Sequence, residues 1–268
     1  MRRMLAGAVL AVTVAGCGVS TQQEVQMGHE YATQINQQLP IIQDPEVNRY
    51  INVLGDSIAK LTPRGDLPWQ FFVVNSSEVN AFAVPGGYIY VNRGLIERAT
   101  NLAQLAGVLG HEIGHVVKRH SIKQMQQQQG AQVGVTLGCV LLKACNSDIA
   151  QAGINVAGSA IFAKFSRDDE KEADEVGIDN VTRAGISPIG IPQMFRILLE
   201  ERQSNPGAVD LWFSTHPTEE ARIADTEAII NRMDPAIIRS LTVDSPRFHE
   251  FQQRIRSLPA PPPTKTGQ

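Results

Sequence analysis

The stretch His111-Glu112-Ile113-Gly114-His115 limits what this chain can fold into more than any other. Two histidines four positions apart lie one above the other on the same face of a helix. Their ring nitrogens can reach a single zinc ion, and Glu112 beside them can take a proton from a water which that zinc activates. The pattern is short, and a chain with these histidine and glutamate frequencies meets it by chance about once in a hundred. Its flanks make the stronger case. Leu102, Leu105, Val108, Leu109, Ile113 and Val116 recur at helical spacing. A helix with that much apolar surface belongs in a core, and desolvated histidines there need a partner such as a metal.

Two histidines do not complete a catalytic zinc site, which takes three protein ligands. The acidic run Ser166-Arg167-Asp168-Asp169-Glu170-Lys171-Glu172-Ala173-Asp174 reads as a helix start, with Ser166 as cap and carboxylates in the first turns. Glu170 is the candidate third ligand. Asp174 lies four residues on, on the same face, and can accept a hydrogen bond from the far nitrogen of a ligand histidine, fixing its tautomer and orientation. Charge alone does not separate Glu170 from Asp168, Asp169, Glu172 and Glu175, which also read as a solvated helix start.

The N-terminus gives an address. Met1-Arg2-Arg3 and the apolar run over 5–15 have the form of a signal peptide, too short to span a membrane. The run ends Val14-Ala15-Gly16-Cys17, which resembles a bacterial lipobox with Cys17 as the acylated residue. Gly18 after the cysteine, by resemblance to Gram-negative sorting signals, points to the outer membrane. The expectation is a signal peptide over 1–16, a lipid-anchored domain over 17–257 facing the periplasm, and a disordered Pro-rich tail over 258–268. Of three cysteines, Cys139 and Cys145 then remain in an oxidising compartment and are expected to pair. Two buried thiols are the alternative. A formal charge of −3 without a basic stripe gives no sign of a nucleic-acid partner.

The remaining chain reads as α+β and mainly helical. Helices are expected over 22–38, from Pro45 after the cap Asp44, over 93–98, and from Thr100-Asn101 to at least His120. Strands over 69–74, 78–84 and 88–91 make a small, mostly antiparallel sheet just before the H-E-x-x-H helix. The segment Asn80-Ala81-Phe82-Ala83 is either a substrate-holding sheet edge or a plain hairpin. His120, five residues past His115, points off the metal face and reads as surface or as lying behind the ligands. Apolar stretches over 131–142 and 149–165 read as a helical hairpin that caps the site, rests on lipid or fills the core. A helix begins at Ser187-Pro188, a loop follows over 204–210, and Ser214-Thr215-His216-Pro217 opens another helix. Short helices open at Asp234-Pro235 and Ser245-Pro246. His29 and His249 receive no role.

Four segments in order resemble one family: 80–87, of the form N-A-F-A-x-P-G-G; 111–120, of the form H-E-x-G-H-x-x-x-R-H; Ser166 to Asp174; and Thr215-His216-Pro217 with Arg222-Ile223. The chain is similar to the zinc metallopeptidases that include HtpX, the mitochondrial OMA-type peptidases and the CAAX prenyl endopeptidases, and most to their periplasmic or lipoprotein bacterial branch (BepA-like, LoiP-like). The resemblance spans about 25–230. It implies a gluzincin-like zincin fold, one zinc per chain held by His111, His115 and Glu170, Glu112 as general base, and Asp174 behind the ligands. It also implies that Asn80 to Ala83 bind substrate and that His216 and Arg222 face the zinc. Arg222 or His216 would stabilise the oxyanion, or His216 would fill the open zinc position and keep the enzyme shut. A clear membrane helix pair, present in the HtpX and prenyl endopeptidase branches, is missing, which argues against prenylated substrates. The expected activity is an endopeptidase acting on misfolded or unassembled envelope proteins. The alternative is a chaperone or assembly factor for outer-membrane proteins, with zinc structural or latent.

Overall fold

A computed structural model describes residues 18–127, 164–217 and 220–262. The expected signal peptide, Cys17, Cys139 and Cys145 with their expected pairing, most of the expected hairpin and the end of the expected tail lie outside the described residues. The elements are α1 (Thr21–Gln38), α2 (Pro45–Ala59), β1 (Gln70–Val74), β2 (Ala81–Val84), β3 (Tyr88–Asn92), α3 (Arg93–Arg98), α4 (Leu102–Lys118), α5 (Arg167–Arg183), α6 (Gly190–Ser204), α7 (Pro206–Thr215), α8 (Glu220–Ile230), α9 (Pro235–Ser240) and α10 (Pro246–Ser257). Residues 120–127 are helical too. The architecture is α+β and mainly helical, as expected. No helix among the described residues is long and apolar enough to cross a membrane.

The molecule is built on α4. Every residue from Leu102 to Val116 is buried, so this helix is enclosed on all sides. It starts where Asn101 Oδ1 accepts the Gln104 amide at 3.1 Å. α5 starts on a capping box, with Ser166 and Asp169 bonding each other's backbone amides. Such a cap is worth about 1 kcal/mol. α5 then runs against α4 almost backbone to backbone. A Cβ added at Gly114 would stand 2.7 Å from the Ala173 carbonyl oxygen, and one at Gly177 would stand 3.1 Å from the His111 amide nitrogen. The glycine inside the H-E-x-x-H motif therefore serves packing. It lets Glu170 and Asp174 of α5 arrive beside His111 and His115 of α4.

The sheet has the order β1-β3-β2. β3 lies antiparallel to β2, with Ala81 opposite Val91 and Val84 opposite Tyr88. It lies parallel to β1, with Gln70 opposite Tyr88 and Val74 opposite Asn92. The expectation of a mostly antiparallel sheet is thus corrected. Pro85-Gly86-Gly87, with φ of 84° and 102° at the glycines, folds β3 back inside β2 rather than outside it. Strand residues alternate between two cores. Phe71, Val73, Ala81, Ala83, Ile89 and Val91 face the main one. Val74, Phe82, Val84, Tyr88 and Tyr90 face a second one, closed by Ala32 of α1 and by Ile122 and Met125.

Four boundaries also differ from expectation. α4 ends at Lys118, because Arg119 adopts a left-handed φ of 59° before helix resumes at His120. α6 begins at Gly190 rather than at Ser187. The segment expected as a loop over 204–210 is mostly helix, since Pro206 takes a first-turn position of α7. Thr215 consequently ends α7 instead of opening a helix, and His216 is its C-cap. Farther on, the start of the expected tail is tied down, with the Pro259 carbonyl accepting from Arg93 Nη1 at 2.8 Å.

Candidate metal centre

His111 and His115 present Nε2 toward each other at 3.0 Å. Glu170 reaches across from α5, with Oε2 3.6 Å from His111 Nε2 and Oε1 3.4 Å from His115 Nε2. His216 comes from the α7–α8 junction, with Nδ1 3.4 Å from His111 Nε2 and 3.0 Å from Glu170 Oε1. One donor atom from each of the four lies within 4.8 Å of all the others, and all four residues are buried. Tetrahedral zinc with bonds of about 2.0–2.2 Å needs donor separations of about 3.3–3.6 Å. The donor set suits zinc; the separations of 3.4–3.6 Å lie in that range, and the two of 3.0 Å are slightly tighter.

The far nitrogens are held as well. His111 Nδ1 lies 2.8 Å from Asp174 Oδ1, the partner expected from the α5 spacing. His115 Nδ1 lies 2.9 Å from His120 Nδ1. Burial holds His115 well below the usual histidine range, so it stays neutral, which is the form that ligates metal. Burial alone would raise Glu170. The neighbouring His216 and Arg222 overcome that and hold it well below the carboxylate range.

Glu112 is fully buried. Neither of its oxygens has a hydrogen-bond partner among the described residues. Burial raises its pKa, with His216 and His111 pulling the other way. A buried carboxylate left without partners is costly, and it makes sense beside a place where water or substrate comes in. His216 Nε2 is 3.6 Å from Glu112 Oε1. Burial would lower His216, but the carboxylates of Glu170 and Glu112 raise it.

Arg222 faces the ligands rather than an open space. Its Nε and Nη2 donate to Asp174 at 2.8 and 2.7 Å, and its Nη1 pairs with Glu170. Phe195 lies under the guanidinium at 4.4 Å. Two more rings wall the site. Phe165 stacks on His115 at 3.9 Å, and Trp212 stacks on His216 at 4.7 Å.

β2 runs beside this centre. Ala83, Val84 and Pro85 line a narrow cleft of about 10 Å³ together with His115, Val116 and Ile122. Asn92 donates its amide to the Asn80 carbonyl at 2.9 Å. By antiparallel alternation Phe82 and Val84 then bond to β3, while Ala81 and Ala83 turn their amides and carbonyls to the outer edge. Among the described residues no main-chain group pairs with that edge, although Ala81 is 0% and Ala83 5% exposed. A wider groove of about 540 Å³ lies between α2 and α10, far from this chemistry, so size alone does not locate the site.

All seven residues expected at the metal are brought together: His111, Glu112, His115, Glu170, Asp174, His216 and Arg222. Sequence reasoning left His120 between two readings and missed two further neighbours, Phe165 and Trp212. His120, read as surface or as lying behind the ligands, is buried and lies behind His115, and Glu172, read as solvated, keeps a side chain 45% exposed while sitting 3.3 Å from it. Phe165 and Trp212 carried no signal except that Trp212 precedes His216 by one helical turn.

Comparison with known proteins agrees with this geometry. The family model described as Peptidase family M48 matches residues 45–230. The chain is 35% identical over 237 residues to the beta-barrel assembly-enhancing protease of Escherichia coli (strain K12), covering 85% of this chain and 48% of that protein. It is 33% identical over 156 residues to the metalloprotease YcaL of the same organism, covering 58% and 59%. It is 27% identical over 211 residues to the mitochondrial metalloendopeptidase OMA1 of Schizosaccharomyces pombe, covering 78% and 59%. The chain spans about half the length of the beta-barrel assembly-enhancing proteases it matches.

Proposed function

The chain belongs to peptidase family M48, and from that premise we propose that it is a zinc metalloendopeptidase of the bacterial cell envelope. The observation that carries this is the donor set His111, His115 and Glu170 closed around one point, with the carboxylate of Glu112 beside it and free of hydrogen bonds among the described residues. When bound, zinc supplies Lewis acidity toward both the attacking water and the scissile carbonyl.

The residues around it do the rest. Glu112 takes the proton of the attacking water as oxygen bonds to the carbonyl carbon. It returns that proton to the amide nitrogen as the carbon–nitrogen bond breaks. Its raised pKa suits it to both transfers. Asp174 fixes the His111 ring, and Arg222 fixes Asp174 and Glu170 together. With its donors engaged in this way, Arg222 is better suited to positioning ligands than to stabilising an oxyanion. Phe165 and Trp212 keep water from the ligands. The outward amides and carbonyls of Ala81 and Ala83 offer an extended substrate main-chain hydrogen bonds.

His216 Nδ1 stands at ligand spacing from the other donors. This supports the reading that His216 fills the fourth zinc position in the resting enzyme. Substrates are unfolded or misassembled envelope proteins, in line with relatives described as beta-barrel assembly-enhancing proteases. The protein is held by acylated Cys17 at the periplasmic face of the outer membrane.

The test is zinc content and casein cleavage by the purified protein, beside Glu112→Gln and His216→Ala. The expected result is one zinc per chain in the parent and in Glu112→Gln, cleavage lost in Glu112→Gln, and faster cleavage by His216→Ala. Zinc without cleavage by either the parent or His216→Ala would point instead to a chaperone. Proteolysis retained by Glu112→Gln would remove the mechanism.

A further inference from the structure

The two ligand histidines differ in what lies behind them. His111 Nδ1 meets a carboxylate, Asp174. His115 Nδ1 meets another imidazole, His120 Nδ1, at 2.9 Å. The far side of His120 then meets carboxylates, with its Nε2 3.3 Å from Glu172 Oε2 and 3.4 Å from Asp169 Oδ1. His120 is 0% exposed, so its hydrogen-bond directions are set by these neighbours rather than by water.

Only one proton fits between two Nδ1 atoms 2.9 Å apart. A histidine that ligates through Nε2 carries its proton on Nδ1. His115 must then donate, and His120 must accept at Nδ1 and carry its own proton on Nε2, where the carboxylates wait. We propose that His120 is the positioning residue of the ligand His115, relaying the orientation set by Glu172 and Asp169 on α5 through a histidine–histidine hydrogen bond. This rests on the reading of His111, His115 and Glu170 as the zinc site.

The backbone explains why His120 is there. In a continuous helix, five residues past His115 would point off its face. The left-handed turn at Arg119, φ 59°, interrupts α4 and brings His120 back onto the His115 ring. A left-handed backbone is strained for a residue other than glycine, so it must be held. Arg119 is fixed there by Glu24 of α1, whose Oε2 accepts from Arg119 Nε at 2.8 Å. Glu24 is itself buried and paired with Arg64 at 2.9 Å through both oxygens. The positioning of His115 thus reaches back to the first helix.

The experiment is zinc affinity by chelator competition for the parent, His120→Ala, His120→Asn and His120→Gln, with the thermal melt of each zinc-free protein as the folding control. An asparagine places its Oδ1 where His120 has Nδ1 and can still accept from His115, whereas a glutamine amide falls near the Nε2 position and cannot. The expected result is about 10–100-fold weaker zinc binding in His120→Ala and His120→Gln, the range for loss of a ligand's outer partner, with His120→Asn close to the parent. Long-range proton–nitrogen NMR of the zinc-loaded parent should show His120 neutral and protonated on Nε2, and this readout does not depend on any variant folding. Equal affinity in all four proteins, rescue by glutamine but not asparagine, or His120 protonated on Nδ1 would overturn the proposal while leaving the zinc site intact. A parent that binds no zinc would overturn the site reading and this proposal together.

Discussion

The two outer edges of the sheet are treated in opposite ways. At β1 the exposed main-chain groups are closed off. The Asn52 side chain acts like a strand, its Oδ1 accepting the Phe71 amide at 3.0 Å and its Nδ2 donating to the Phe71 carbonyl at 2.9 Å. Beyond it the Ile42 amide donates to the Val73 carbonyl and the Asn75 amide to the Pro40 carbonyl, each at 2.8 Å. At β2, Ala81 and Ala83 keep outward groups that no main-chain group among the described residues satisfies. Sheet edges are normally blunted, because an unpaired edge pairs with any strand that meets it. One edge is closed and the other is left unpaired beside His115, and the proposal of β2 as the substrate edge rests on that contrast.

Proline substitutions break this contrast most sharply. Phe82→Pro removes an amide that bonds to β3 and a ring stacked on Tyr90 at 4.8 Å. The expected outcome is a loss of more than about 3 kcal/mol and little folded protein, checked by thermal melting. Ala83→Pro removes an outward amide that the ladder does not use, a position where proline is tolerated. It should keep zinc and lower kcat/KM for casein more than about tenfold, since one substrate hydrogen bond in a dry cleft is lost. If Ala83→Pro cleaves as well as the parent, β2 is a plain hairpin.

A smaller effect is expected at the closed edge. Asn52→Ala strips both partners from Phe71 and should cost about 1–3 kcal/mol, read as a lower urea midpoint, with zinc content and kcat/KM unchanged. The smallest effect is a pH dependence at the same edge. Asp44, beside the Ile41–Ile42 cover, is held below the carboxylate range by its hydrogen bond to Arg254, then by the Val47 amide. Its stabilising contribution is present above the unfolded pKa of about 3.9 and lost as pH falls through the lower folded value. Asp44→Asn should flatten the fall in melting temperature below about pH 4, and an unchanged slope would remove Asp44 from the explanation.

The parts of this picture that were legible in the sequence are those set by local spacing. His111, Glu112 and His115 follow from an i, i+4 pattern in an apolar helix; Glu170 and Asp174 share that spacing behind a Ser166 cap, but it was the family resemblance that singled Glu170 out among the neighbouring carboxylates. Asp44-Pro45 and Asn101 marked helix starts because caps and first-turn prolines act within one turn. The parallel pairing of β1 with β3 was not legible, since it depends on which strand the Pro85-Gly86-Gly87 turn folds inside. Pro206-Gly207 read as loop, although the buried Val209 and Trp212 make it the start of a helix. The place of His120 stayed open between the surface and the back of the ligands because nothing about an arginine announces a left-handed turn at Arg119, and the ion pair with Glu24 that holds it is ninety-five residues away in the chain.

The most direct measurement is amide hydrogen exchange on zinc-loaded Glu112→Gln, which should bind an unfolded polypeptide without cleaving it. With casein peptide added, slower exchange is expected at Ala81 and Ala83 and no change at Phe71 in β1. Protection at β1, or bound peptide with no protection at either edge, would contradict the assignment of β2 as the substrate edge of the zinc site.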